Sequence, residues 1–289
     1  MGRIMITEEQ RQTRKRYIGS SDAAAILGMD PYRSAYDVWL EKTGKVDAFA
    51  GNAATEAGNL LERACLDWVA PQLSPFARDV MEFAGDLIAN FDGLSIANNF
   101  TVEAKTTGIV GPANAGYGDV TEGPCVEIPD ANVIQVHHQM VVAGPCCDIA
   151  YVPVLIGGKG FRLYTVPRLR DLTEVVWESG TRFMERHVKT DIPPENSTPS
   201  LDVLKRMRRE PNKVISIPDE IVTAWLAASK ALDDAEKLEE VRKIALIESL
   251  SDAEAADWSG GRLTYFQQTV KAHQRKESTF RVLRTKKGK

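Results

Sequence analysis

The sequence predicts an α/β protein: a mixed central β-sheet flanked by helices, followed by a largely helical C-terminal extension. Three observations predict it. Apolar runs of strand length alternate with stretches whose apolar residues recur at helical spacing, in the order helix, a group of strands, helix, two strands, helix. A proline-containing break, Asp191-Ile192-Pro193-Pro194-Glu195-Asn196-Ser197-Thr198-Pro199, separates residues 1–195 from residues 196–289, where the composition changes. A length of 289 residues with 43% hydrophobic content suits one substantial core plus an extension.

Each element has its own signal. Ser20 or Ser21 is the expected N-cap of a short helix stopped at Gly28, and Ser34 that of a second stopped at Gly44. Residues 53–70 form a longer helix whose Leu60, Leu61, Ala64, Leu66 and Val69 are expected to face a core, with Glu62 on another face. Strands are expected near 78–84, 86–91, 94–97 and 100–105, then a glycine-rich loop over 108–124 of the length that clamps substrate in many sites. Residues 131–143 read as a helix, 148–156 and 160–166 as a hairpin through Gly157-Gly158-Lys159-Gly160, and 170–189 as a helix ended before Pro193-Pro194. In the extension, Ile221, Trp225, Ala228, Leu232 and Ala235 step by four and three along a long helix over 219–250, and strands are expected in Arg262–Phe266 and Phe280–Arg284.

Composition narrows the function. No apolar run approaches the ~20 residues that span a bilayer, and the N-terminus is charged rather than signal-like, so a cytoplasmic protein is expected. Cys65, Cys125, Cys146 and Cys147 have neither zinc nor disulfide spacing and are expected to be reduced packing residues, with no iron–sulfur cluster. The net charge is −4, but its distribution is segregated. Arg11, Arg14, Lys15 and Arg16 make the entry basic, and residues 271–289 hold eight Lys or Arg against the single acid Glu277. Residues 219–257 instead hold eleven acids against four bases. Such segregation suits one DNA-facing surface and one solvated surface.

The segment that carries chemistry is Phe91-Asp92-Gly93-Leu94, followed by Thr101-Val102-Glu103-Ala104-Lys105-Thr106-Thr107. Side chains two apart on a strand share a face, so Glu103 and Lys105 point the same way, while a turn after Asp92 is expected to fold its carboxylate toward them. Two hard oxygen ligands suit Mg²⁺ or Mn²⁺, and a neighbouring ammonium can orient water and offset charge growing on a phosphate. Phosphodiester hydrolysis is the chemistry this implies. His137 and His138 do not make a zinc pair, because adjacent helical positions diverge by ~100°.

These residues belong to an ordered series of motifs. Ile18-Gly19-Ser20-Ser21-Asp22-Ala23-Ala24-Ala25-Ile26-Leu27-Gly28 is followed by Ser34-Ala35-Tyr36-Asp37-Val38-Trp39-Leu40 and Gly58-Asn59-Leu60-Leu61-Glu62. The Asp92 and Glu103 segments come next, then Ile128-Pro129-Asp130 leading into Val133-Ile134-Gln135-Val136-His137-His138-Gln139-Met140. Over most of residues 14–195 the series resembles the YqaJ-type viral recombinase nucleases, relatives of lambda exonuclease in the PD-(D/E)xK superfamily. Phe91 stands where the superfamily's proline would be, and His137 where many relatives have a second glutamine.

The resemblance implies a Mg²⁺-dependent double-strand DNA exonuclease of phage or prophage origin, with Mn²⁺ as a substitute. It implies attack from a 5′ end, a 3′ single strand left for an annealing protein, and a ring-shaped homo-oligomer. It makes Asp92, Glu103 and the Ala104 carbonyl the metal ligands, Lys105 the water-positioning group, and Glu62 and Gln135 further members of the catalytic cluster. Arg14, seven residues before Ser21, matches the spacing at which related exonucleases hold a terminal 5′-phosphate, and a helix start beside Ser21 would favour an anion. Two alternatives stay open: an endonuclease or CRISPR-associated nuclease on the same fold, and a catalytically idle DNA-binding module.

Overall fold

A computed structural model of the chain describes residues 13, 15–47, 49–108, 116–123, 125–208, 210–270, 278–281 and 284–287. Contacts divide it into two compact units, Met1–Glu210 and Pro211–Lys289.

The first unit is built on a seven-stranded mixed sheet. Its strands are β1 (Ile18–Gly19), β2 (Ala77–Ala84), β3 (Leu87–Ser95), β4 (Phe100–Val102), β5 (Lys105–Thr107), β6 (Ile149–Ile156) and β7 (Gly160–Pro167). Strand β3 is the organising element. It pairs antiparallel with β2 along nearly its whole length, parallel with β1 at its start and antiparallel with β4 at its end. The chain turns from β2 into β3 through Gly85-Asp86, where Gly85 has φ +56, a conformation open to glycine at little cost. Strands β4 and β5 both pair parallel with β6 at one constant offset, Phe100 with Ile149 and Lys105 with Val154, so they are one strand interrupted at Glu103-Ala104.

The described helices of this unit are α1 (Ser20–Ile26), α2 (Ala35–Lys42), α3 (Ala53–Val69), α4 (Asp130–Ala143), α5 (Arg170–Phe183) and α6 (Leu201–Lys205). The last turns after Phe183 continue as a π-helical stretch over Met184–Val188. Helix α4 packs Val136 and Met140 on Ala150, Val152 and Val154 of β6. Helix α3 packs Leu66 and Val69 on Phe100 and Val102, with Ile149 and Tyr151 beside them. The alternation of β6 residues between these two sets puts the helices on opposite faces. A third apolar cluster joins Leu87, Ala89 and Phe91 of β3 to Val38, Trp39 and Leu40 of α2. Each such large side chain withdrawn from water contributes roughly 1.5–3 kcal/mol.

Three expectations change. Asp92-Gly93 does not turn the chain: β3 runs straight through it, because Gly93 pairs with both Arg78 and Val102. Helix α1 is capped by Gly19 rather than by Ser20 or Ser21, and the Asp22 carboxylate accepts from Gly19 N at 2.9 Å. On α3 the buried residues are Cys65, Leu66 and Val69, while Leu60, Leu61 and Ala64 are exposed. Ser34 caps α2 as expected, accepting from Asp37 N.

The second unit contains the predicted long helix, α7 (Asp219–Leu250). It also holds a three-stranded antiparallel sheet of β8 (Ala255–Trp258), β9 (Gly261–Thr264) and β12 (Arg284–Lys287), and a pair formed by β10 (Gln267–Val270) and β11 (Ser278–Arg281). Arg262 and Asp257 face each other across β8 and β9 with contacts of 2.6 and 2.8 Å. Among the described residues no helix is long and apolar enough to cross a membrane. Cys65 and Cys147 are buried, Cys125 and Cys146 exposed, and all are free thiols.

Candidate active site

Asp92 and Glu103 meet by strand register. Gly93 pairs with Val102, so the next step along the antiparallel ladder sets Asp92 opposite Glu103. The Ala104 N–H donates to Asp92 Oδ2 at 2.8 Å, tying the two segments together where β4 gives way to β5. Gly93 is needed for this pairing. A Cβ there would lie 2.6 Å from Phe76 Cδ2 and 2.9 Å from Val102 Cβ, inside any real contact distance.

Lys105 and Glu103 share a face as their spacing requires. Lys105 Nζ donates to Glu103 Oε1 at 2.7 Å and to Gln135 Oε1 at 2.9 Å. Gln135 Nε2 in turn donates to Glu103 Oε1 at 2.6 Å, which closes a triangle of three side chains. Two of the three ammonium N–H groups are used in it. Gln135 comes from α4, whose axis crosses the face of the sheet that bears Glu103 and Lys105. The same helix supplies Gln139, whose Nε2 donates to Glu103 Oε2. Sequence reasoning passed over Gln139, although it lies one helical turn after Gln135 and so on the same face.

The electrostatics are those of crowded acids. Burial, the Glu103 carboxylate and then Glu62 push the Asp92 carboxyl well above the usual carboxylate range, against the pull of the Ala104 N–H and Lys105. Burial alone would discharge Lys105, but Glu103, Asp92 and Glu62 outweigh it and hold the ammonium above its ordinary value. Glu62 of α3 thus lies within electrostatic reach of both Asp92 and Lys105, and Cys65, one turn later, directs its thiol to the Lys105 carbonyl at 3.5 Å.

The structure therefore brings together Glu62, Asp92, Glu103, Ala104, Lys105 and Gln135. Among the described residues no three His, Cys, Asp or Glu side chains are close enough to enclose an ion by themselves. The donor set is nonetheless hard oxygen, and burial together with the Glu103 and Glu62 carboxylates disfavours the charged form of Asp92, a penalty that a divalent cation would relieve.

Ser21 is exposed in the first turn of α1, and its carbonyl accepts from Arg33 Nη1 at 3.2 Å. Arg14 lies outside the described residues. Next to Ser21, Asp22 is buried against Lys42 at 2.6 Å and Arg33 at 2.9 Å, which overcome the burial penalty and hold its carboxyl far below the usual range. His137 and His138 are fully buried packing residues. The Leu169 N–H donates to His137 Nε2 at 3.0 Å, so Nδ1 carries the proton and donates to the Val133 carbonyl. Burial holds His138 down at about 4, its Nε2 facing the Ile88 carbonyl. Of the 108–124 loop, residues 109–115 and 124 lie outside the described ones. Its second half is anchored by Tyr164 and Arg162, which both donate to the Gly118 carbonyl, and by Asn132 of α4, which donates to the Tyr117 hydroxyl. Asp119 stands in solvent paired with Arg162, apart from the acid cluster.

Residues 10–145, which span these motifs from the entry to the end of α4, match the family model of the YqaJ-like viral recombinase domain. A curated relative, the uncharacterized protein YqaJ of Bacillus subtilis (strain 168), is 29% identical over 227 residues, covering 74% of this chain and 67% of that protein. Solved structures are more distant. An alkaline exonuclease from Laribacter hongkongensis is 13% identical with a TM-score of 0.46, over 64% of this chain and 94% of that one. A phage related exonuclease from Haemophilus somnus is 11% identical with a TM-score of 0.44, over 61% of this chain and 95% of that one.

Proposed function

We propose that the chain is a divalent-metal-dependent deoxyribonuclease that degrades duplex DNA from its ends. The observation that carries this reading is the closed Lys105, Glu103 and Gln135 triangle set opposite Asp92. An ammonium fixed by two partners, with a third N–H to give, stands beside two carboxylates in a partly buried site.

Asp92, Glu103 and the Ala104 carbonyl would hold Mg²⁺ or Mn²⁺, with Glu62 adding charge to the cluster. When bound, the ion supplies Lewis-acid polarisation of the scissile phosphate and a nucleophilic water at neutral pH. Lys105 keeps its proton, donates to a non-bridging phosphate oxygen and offsets the charge that grows there. Gln135 prevents the ammonium from swinging away between turnovers. Removing one such preorganised donor from a reacting oxyanion lowers turnover ~10²–10³-fold.

The proposal extends to substrate and biology. Ser21, exposed at the start of α1, and Arg14 are to receive the terminal 5′-phosphate. Digestion then runs from the 5′ end and leaves a 3′ single strand for an annealing partner in recombination, with the chain assembled as a ring and working in the cytoplasm of a bacterial host. The viral recombinase domain supports this setting.

The test is a comparison of substrates in Mg²⁺. Linear duplex with 5′-phosphates should be degraded faster than the same duplex with 5′-hydroxyls, and a covalently closed circle should resist. Cleavage of the circle at the linear rate would make the enzyme an endonuclease, and loss of a 3′ label before the 5′ label would reverse the polarity.

A further inference from the structure

Gln139 is fully buried on α4, and its Nε2 donates to Glu103 Oε2, the oxygen that neither Lys105 nor Gln135 reaches. Asn132, Gln135 and Gln139 recur at spacings of three and four, so they form one polar stripe along the helix. Beside this stripe Val136 and Met140 are fully buried in the apolar cluster beneath α4, and His137 and His138 are fully buried as well. A glutamine in such a setting is costly, because a buried amide gives up its water at both ends. Here only one end is repaid in kind, since Gln139 Oε1 has no hydrogen-bond partner. A methionine or leucine at this position would pack without an orphaned carbonyl. Packing therefore does not account for Gln139, and its single strong contact, with Glu103, does.

That contact completes an uneven set. An ionised carboxylate offers about four acceptor positions, two on each oxygen. Glu103 Oε1 accepts from Lys105 and Gln135 and is saturated, whereas Oε2 accepts from Gln139 and retains one position. We infer that Gln139 is a positioning residue, which fixes the Glu103 carboxylate plane so that Oε2 presents its remaining lone pair to a divalent cation. The inference rests on the reading of Glu103 as a metal ligand. It assigns the two glutamines different work. Gln135 holds Lys105 as well as Glu103, while Gln139 is out of reach of solvent and DNA and acts through Glu103 alone. Without it, Oε2 loses its recorded partner and the carboxylate turns about its last bond.

The experiment is a titration of the DNA-free full chain with Mn²⁺, followed by calorimetry or by the electron spin resonance of the free ion. Gln139→Met keeps the length of the side chain and removes the donor. It is expected to bind Mn²⁺ about 10-fold or more weakly, the usual size of a loss behind a metal ligand, with an unchanged far-ultraviolet spectrum. Met140→Leu, a packing change at the next buried residue, is expected to bind as the unsubstituted chain does. If Gln139→Met fails to fold, Gln139→Asn serves, since it keeps the amide but withdraws it by one methylene, and weaker Mn²⁺ binding is expected there too. Affinity within about twofold of the unsubstituted chain for a folded Gln139 variant, or an equal loss in Met140→Leu, overturns the assignment. If instead Glu103→Ala binds Mn²⁺ as tightly as the unsubstituted chain, it is the metal-ligand reading that falls, and the role of Gln139 falls with it.

Discussion

Adding one methyl group at Gly93 should damage both the fold and the site, by an amount the structure sets. The new Cβ would lie 2.6 and 2.8 Å from two Phe76 ring carbons and 2.9 Å from Val102 Cβ, where ordinary contact begins at 3.4 Å. A gap of about 0.8 Å, the difference between 3.4 and 2.6 Å, must therefore open on the face shared by β3 and β4. Phe76 has little room to retreat, because its ring packs edge-on against Phe100 and carries the Arg78 guanidinium on it. Overpacking of this kind costs ~1–3 kcal/mol. For a chain of this size that lowers the melting temperature by roughly 2–12 °C. The separation falls between Asp92 and Glu103, where misplacement by ~1 Å costs about 10²-fold in rate. Melting followed by circular dichroism and nucleotide release from linear duplex read the two effects side by side. A Gly93→Ala protein with unaltered melting temperature and unaltered rate would refute the account of how register builds the site.

Other expectations follow from the charges. Asp92→Asn should raise the melting temperature of the metal-free chain near pH 7 and lose that advantage toward pH 4. The folded-state pKa of Asp92 lies above its unfolded value, so its penalty is absent below the unfolded value and complete above the folded one. Equal melting temperatures at pH 7 would contradict the crowding of Asp92, Glu103 and Glu62. His138 titrates near 4 in the fold against ~6.5 unfolded, so stability should fall as the pH drops through that window, by about 3 kcal/mol in total. His138→Gln should flatten the melting curve against pH between 6.5 and 4, and an unchanged slope would show that other groups set it. Lys105→Met should still bind duplex DNA in a gel-shift assay yet turn over ~10²–10³-fold more slowly; a loss of binding with normal turnover of what binds would place the ammonium in substrate capture instead.

The parts of the site that depend on local geometry were legible in the sequence. The shared face of Glu103 and Lys105 follows from strand period, and the helical placement of Gln135 follows from the apolar spacing of residues 131–143. The long helix over Asp219–Leu250 was legible for the same reason, sustained periodicity. What depends on pairing between distant segments was not. Asp-Gly is a hairpin signal, and nothing local distinguishes Asp92-Gly93 inside a strand from Gly85-Asp86 at a true turn. The glycine is there because Phe76 and Val102 occupy the space of a side chain. Leu60 and Leu61 carry the apolar signal of a core helix but stand exposed, since burial on α3 is concentrated at Cys65, Leu66 and Val69. Gln139 left a usable trace: a second amide one turn after Gln135, on a helix that also buries Ile134, Val136, Met140 and Val142. Ser21 could not be read as a cap or otherwise from its type alone, because the backbone of Gly19 and the Asp22 carboxylate had already closed the helix start.

The most direct test of the central claim is nucleotide release from linear duplex DNA by the unsubstituted chain and by Glu103→Gln, each in Mg²⁺ and again in excess chelator. Glu103→Gln keeps the size of the side chain and removes the charge that Lys105, Gln135 and Gln139 converge upon. The account predicts release by the unsubstituted chain in Mg²⁺ and none above background in the other three reactions. Release by Glu103→Gln at the unsubstituted rate, or release in chelator, would contradict it.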